Sequence, residues 1–205
     1  PATPAPRAAH HTASRGSAAE GAAAVDAAQA TFEDPRWRDL RQNRRGHLLR
    51  RLGDLIGEHA EQFARSESQD NGKLLRESVK NMSNAARYYR FFAGYADKIY
   101  GEVIPMDNPS LFDYTIREPI GTIALITPWN SPISILANKL APALATGNTV
   151  VIKPSEHTSV TTLEFARMAQ EAGFPDGVIN VVTGDGKGGD WVSQSPKAGT
   201  QTLPG

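Results

Sequence analysis

Cysteine is absent from this 205-residue chain. That excludes a disulfide framework, a thiolate metal site and a cysteine nucleophile within these residues. Such a composition suits a reducing compartment, and the cytoplasm is the expected one. No window approaches the roughly 18 consecutive apolar residues of a membrane span, and the beginning of the chain lacks the compact apolar core of a secretory signal. Net charge is missing too, since 22 acidic residues balance 22 basic ones. No excess field therefore draws the chain to nucleic acid, to an anionic membrane or to an acidic substrate, and a small molecule is the expected partner. The sequence has no P-loop, no H-E-x-x-H and no carboxylate pair at a spacing suited to acid and base work. His10 and His11 lack a third ligand at sensible spacing, so no metal is expected.

What is present divides into four stretches. Residues 1–16 mix proline, alanine and arginine without periodicity and read as a disordered lead-in. Residues 17–118 are helical with one edge strand. Ser17 and Glu20 have the offset of a capping box before an alanine-rich run to Phe32. Leu48, Leu52, Leu55, Ile56 and Phe63 share a stripe that predicts one long amphipathic helix. The arginines around it alternate with acids and lack interleaved aromatics, so they read as a solvated face rather than a nucleic-acid patch. Asn71-Gly72-Lys73 is a turn signal, and a second long helix is predicted from about Leu75 to Ile99. Residues 101–109 read as a loop and Phe112 to Arg117 as an edge strand.

Residues 119–186 change in texture. Gly121 to Ile126, Thr149 to Ile152 and Val178 to Val182 read as buried strands, with helices from Ile133 to Ala145 and from Val160 to Ala172 between them. The fold class is α/β: long helices followed by one βαβαβ half of a Rossmann-like parallel sheet. Residues 187–205 read as an irregular tail.

In such a sheet ligands bind beyond the carboxyl ends of the strands. Ile126-Thr127-Pro128-Trp129-Asn130 leaves one strand there and Lys153-Pro154-Ser155-Glu156 the next. The Asn130 amide can donate to a carbonyl oxygen as it gains charge, or can serve its own turn. Pro154 is expected to end the strand ladder and send the Lys153 ammonium into the crevice. Glu156 can accept from both hydroxyls of a ribose and would repel a 2′-phosphate, which favours NAD over NADP. A surface ion pair between Lys153 and Glu156 is the plainer alternative. Gly184 and Gly186 form a third glycine-rich strand end. Lys139 either charges the site or snorkels to solvent.

Arg117-Glu118-Pro119-Ile120-Gly121, Thr127 to Asn130, Lys139 to Thr149, Lys153 to Glu156 and Glu171 to Val178, in this order and spacing, resemble the amino-terminal, cofactor-binding portion of NAD(P)-dependent aldehyde dehydrogenases. Asp70-Asn71-Gly72-Lys73 resembles the family's loop between its first long helices. The resemblance implies oxidation of an aldehyde to a carboxylic acid with NAD. It implies that Asn130 helps hold the oxyanion and that Lys139 belongs to the charge network. Ile126, Thr127, Pro128 and Trp129 would wall the nicotinamide half of the cofactor. Lys153 and Glu156 would clamp the adenosine ribose, with Ser155 between them and Gly186 near the cofactor. It implies a homo-oligomer for the complete enzyme. The family's nucleophilic cysteine and general-base glutamate lie further along than this sequence reaches. Pro1 stands where a methionine is usual and no second dinucleotide loop follows Gly186. The expectation is therefore a truncated chain, inactive by itself. The alternatives are a non-catalytic nucleotide-binding module and a helical interaction protein.

Overall fold

The structure, a computed structural model, describes residue 14, residues 16–185, residue 195 and residues 198–202. Helices come first: α1 (Ala18–Glu33), α2 (Pro35–Arg38), α3 (Gln42–Glu58), α4 (Ala60–Asn71) and α5 (Leu75–Tyr95). A two-stranded antiparallel hairpin follows, β1 (Val103–Ile104) with β2 (Asp113–Tyr114). The rest is β3 (Thr122–Thr127), α6 (Pro132–Ala145), β4 (Thr149–Pro154), α7 (Val160–Glu171), β5 (Ile179–Val181) and β6 (Ala198–Thr202). The expected βαβαβ unit is β3-α6-β4-α7-β5. All pairs in its sheet are parallel, in the order β5-β4-β3-β6.

Local chemistry explains most boundaries. The capping box forms as expected: the Ser17 N–H donates to Glu20 Oε2 at 2.7 Å and the Glu20 N–H to Ser17 Oγ at 3.3 Å. Gly72 ends α4 in the left-handed region at φ 77°, where a side chain would be strained. Asn148 closes α6 onto the sheet. Its Oδ1 accepts from the Gly121 N–H at 3.0 Å, while its Nδ2 donates to the Ala143 carbonyl and the Thr146 hydroxyl.

Four expectations need correction. The long helix over Leu48 to Phe63 is two, broken at His59, whose backbone leaves the helical region at ψ 16°. The apolar stripe continues across the break, so periodicity does not register it. The second long helix ends at Tyr95 rather than Ile99. Ser14 and Gly16 belong to no loose lead-in, because the Gly16 N–H donates to the Thr183 carbonyl at 2.9 Å and the Ser14 carbonyl accepts from the Thr183 hydroxyl. In the tail, residues 198–202 lie parallel to β3 as β6. Their sequence, Ala-Gly-Thr-Gln-Thr, has no hydrophobic run; the open edge of β3 supplies the partner that makes them a strand.

The sheet separates two packing layers. Ile123, Leu125, Val150 and Ile152 join one core with Leu52, Met82, Tyr89, Leu136 and Phe165 from α3, α5, α6 and α7. On the other face Ala124, Val151 and Val182 meet Val25 and Ala28 of α1. Small residues on α1 allow that helix to approach the sheet closely. Both faces covered is the usual condition of parallel strands.

Candidate active site at the strand tips

β3 and β4 are in register from Thr122 opposite Thr149 to Thr127 opposite Pro154. The segments beyond Thr127 and Pro154 therefore leave neighbouring strands at one level. Pro154 does not end the ladder. The Ser155 N–H donates to the Thr127 carbonyl at 3.0 Å, one residue further on. The reason lies in the alternation of strand hydrogen bonds. Residues 153 and 155 face β3, whereas 154 faces β5, which has already ended at Val181. The proline's missing donor falls where no acceptor is needed.

Alternation also sorts the side chains. Leu125 and Ile152 point into the helix-covered core, so Thr127 and Pro154 share that side and are buried. Ile126 and Lys153, opposite one another, lie on the face that carries α1 further back. The Lys153 side chain is only 4% exposed, with Nζ 3.6 Å from Glu156 Oε2, whose side chain is 45% exposed. The ion pair is present, but it is not a surface pair. The Glu156 backbone N–H holds the Glu156 carboxyl below its ordinary range; burial opposes it, and Lys153 and His157 add to the lowering. Ser155 shapes the loop, its hydroxyl accepting from the His157 N–H at 3.3 Å.

The turn after β3 is held from outside the sheet. The Trp129 carbonyl accepts from Asn71 Nδ2 at 3.3 Å. Lys73 Nζ donates to the Asn130 carbonyl at 2.9 Å and to Ser131 Oγ at 2.6 Å. Behind Lys73 lies Glu67, 3.9 Å away with a side chain at zero exposure. Burial pushes the Glu67 carboxyl up, and Lys73, Asn81, Ile133 and Ser78 pull it back in part. The turn thus satisfies its own carbonyls without the Asn130 amide, which is exposed and makes no hydrogen bond to a described residue. Trp129 is exposed and Pro128 half-buried.

The third strand end brings Gly184, buried, beside these tips just past β5; Gly186 lies outside the described residues. Lys139 sits half-buried on α6, about 10 Å along the axis from Pro132 at 1.5 Å per residue. Desolvation lowers its ammonium below the ordinary lysine range. A concavity of about 500 Å³ lies elsewhere, among Arg38, Arg41, Arg45, Asp97 and Arg117, and includes no strand-tip residue. Among the described residues no three His, Asp or Glu side chains cluster as a metal site would require, and no helix is long and apolar enough to cross a membrane.

The family model of the aldehyde dehydrogenase family matches residues 2–200. The chain belongs to the aldehyde dehydrogenase family. Among curated relatives it is 47% identical over 175 residues to (Z)-2-((N-methylformamido)methylene)-5-hydroxybutyrolactone dehydrogenase of Acinetobacter baylyi, covering 85% of this chain and 36% of that protein. It is 42% identical over 175 residues to betaine aldehyde dehydrogenase of Bacillus subtilis, with the same coverage of 85% and 36%. Among solved structures, betaine aldehyde dehydrogenase of Staphylococcus aureus in complex with NAD+ matches with a TM-score of 0.89 and 39% identity, over 92% of this chain and 38% of that one. The chain thus spans about a third of the length of the curated aldehyde dehydrogenases it matches, at 36% for the first.

Aldehyde dehydrogenase membership accounts for the strand-tip motifs, which the sequence displays openly. The part played by the 70–73 turn is missing from the sequence reading. A local turn signal was visible there, but its partners lie 57 and 58 residues away for Lys73 and Asn71.

Proposed function

We propose that this chain supplies the dinucleotide-binding and oxyanion-holding portion of an enzyme that oxidises an aldehyde to a carboxylic acid with NAD. The observation that supports the reading is the register of β3 and β4, in which the segments carrying Trp129 and Asn130, and Ser155 and Glu156, leave neighbouring strands at one level. The donor set suits the cofactor. The Glu156 carboxylate, kept ionised, accepts from two vicinal ribose hydroxyls and disfavours a 2′-phosphate, so NAD is preferred to NADP. Lys153 orients that carboxylate from its buried position, and Ser155 with Pro154 fixes the loop between them. Ile126, Pro128 and Trp129 wall the nicotinamide half; Thr127 contributes through its main chain, since its side chain is buried. Gly184 leaves room for close approach, and Gly186 is of the residue type that would allow the same. Bound there, the dinucleotide supplies a hydride acceptor.

The Asn130 amide is available to donate to the aldehyde oxygen as negative charge develops. One such donor is worth about 3 to 4 kcal/mol in acyl-transfer chemistry. Lys139, its proton affinity reduced by desolvation, supports the charge balance from α6. These 205 residues include no cysteine, so the chain alone is expected to bind without turnover. A cytoplasmic setting fits the absence of thiols. A second copy is the expected partner, because Phe91, Tyr100 and Phe112 are 66%, 73% and 75% exposed.

Calorimetric titration of the chain with NAD, with NADP and against Lys153→Ala tests the cofactor site. NAD heat that Lys153→Ala abolishes supports it; no heat, or heat indifferent to the substitution, rejects it. The aldehyde step is tested by exchanging residues 17–185 for the matching segment of the Staphylococcus aureus enzyme. Asn130→Ala in that chimera is expected to lower aldehyde-dependent NADH formation about 100- to 1,000-fold, and an unchanged rate would remove Asn130 from its role.

A further inference from the structure

One short turn touches both strand tips. In Asp70-Asn71-Gly72-Lys73, between α4 and α5, Asp70 Oδ2 accepts from the Val160 N–H at 3.2 Å, at the start of α7 and so at the end of the loop that carries Glu156. Asn71 donates to the Trp129 carbonyl, and Lys73 to the Asn130 carbonyl and the Ser131 hydroxyl. The turn is itself pinned, because Asn71 Oδ1 accepts from the Lys73 N–H at 2.9 Å and Gly72 takes the left-handed conformation.

We infer that this turn is a clamp fixing the two strand tips relative to each other, with Lys73 its positioning residue for the Trp129-Asn130 turn. The inference rests on the reading that those tips form the site. Among the described residues the ladder between β3 and β4 ends with the Ser155 bond to Thr127, and no further ladder bond holds the residues beyond. Lys73 has three ammonium hydrogens, two of which serve the turn. The third side faces Glu67, a carboxyl fully out of water that would lose its neighbouring cation without the ammonium. The lysine is therefore held inward rather than free to snorkel. Gripping the Asn130 carbonyl fixes that residue's backbone and leaves its amide unengaged, which is the orientation problem an oxyanion donor must solve.

The test uses the full chain labelled with 5-fluorotryptophan and observed by fluorine NMR, the Trp129 resonance being assigned with Trp129→Phe. In Lys73→Met the Trp129 signal is expected to shift toward that of the free amino acid and to sharpen, while buried Trp37 stays in place. Lys73→Arg should restore the original signal, and Lys80→Met, an exposed lysine on α5, should not alter it. An unchanged Trp129 signal in Lys73→Met overturns the clamp. If Trp37 moves as well, Asn71→Ala decides: it removes the Trp129 contact and the Asn71–Lys73 link inside the turn while leaving Lys73 against Glu67, and an unmoved Trp129 signal there overturns the clamp equally. Added NAD separates the two readings. Movement of the wild-type Trp129 signal and several-fold weaker binding in Lys73→Met support both; no response to NAD with the Lys73→Met shift intact keeps the clamp and rejects the cofactor site.

Discussion

β3 and β4 bury every residue but Ile126, whereas β1 and β2 bury none. Both pairs are rich in the residue types that favour strands. What separates them is cover. Each central strand has a neighbour on both sides and helices on both faces. The hairpin has only itself, pinned where Gly101 meets the Thr115 carbonyl so closely that a Cβ would collide with it. An isolated two-stranded hairpin is marginal in water. Its Val103, Phe112 and Tyr114 are 67%, 75% and 55% exposed. The central strands are covered from within the chain; the hairpin's apolar side chains are left exposed.

The contrast breaks most visibly in the core. Leu125→Ala removes a side chain that is 1% exposed and should cost about 2 to 5 kcal/mol, read as a lower urea midpoint with an unchanged slope. A cost below about 1 kcal/mol would mean that the sheet is not packed as described.

The next effect concerns Glu67, under the clamp. Its folded-state pKa is raised, chiefly by burial, so the folded protein holds the proton more tightly than the unfolded chain. That contribution is complete below the unfolded value of about 4.5 and is lost as pH rises through the folded value. Glu67→Gln carries no such proton. The stability of the wild type minus that of the variant should therefore fall with rising pH, by up to about 1.4 kcal/mol per pH unit within that window. Urea unfolding at a series of pH values measures it, and a flat difference would show that Lys73 fully compensates the buried charge.

How far the sequence carries can be judged from these same places. Strands, helices and strand tips were legible because local chemistry determines them: glycine at 147 and 173, the cap at Ser17, unbroken apolar runs at 123–126 and 150–152. The clamp was not, because the hydrogen bond from the Val160 N–H to Asp70 joins residues 90 apart and leaves no periodic trace. Nor was β6, whose strand character comes from its partner rather than its own residues. Lys153 reads from the sequence as leaving a buried strand with its ammonium turned from bulk water, but the degree of burial, 4% exposed, depends on what surrounds it. The break at His59 was hidden by a stripe that survives it.

A smaller effect of opposite sign is expected at Tyr89. It is fully buried, stacked on Phe165 with ring centres 5.9 Å apart, and its hydroxyl has no hydrogen-bond partner among the described residues. Tyr89→Phe removes a polar group that lost water without replacement. Stability should stay level or rise by up to about 1 kcal/mol in urea unfolding. A loss of more than that would reveal a partner for the hydroxyl, and with it a less apolar core than the comparison assumes.

The smallest change in stability should come from the hairpin, together with the clearest change in association. Phe112→Ser alters an exposed ring that touches Tyr114 at 5.5 Å between centres. Surface substitutions of this kind stay within about 0.5 kcal/mol. If Phe112 and its neighbours form the face for a second copy, sedimentation velocity should show a concentration-dependent boundary for the wild type and a slower, concentration-independent one for Phe112→Ser. Identical profiles would mean that the hairpin is exposed for some other reason, and the contrast with the sheet would then reflect burial alone. A large loss of stability on the same substitution would mean instead that the hairpin is part of the chain's own core.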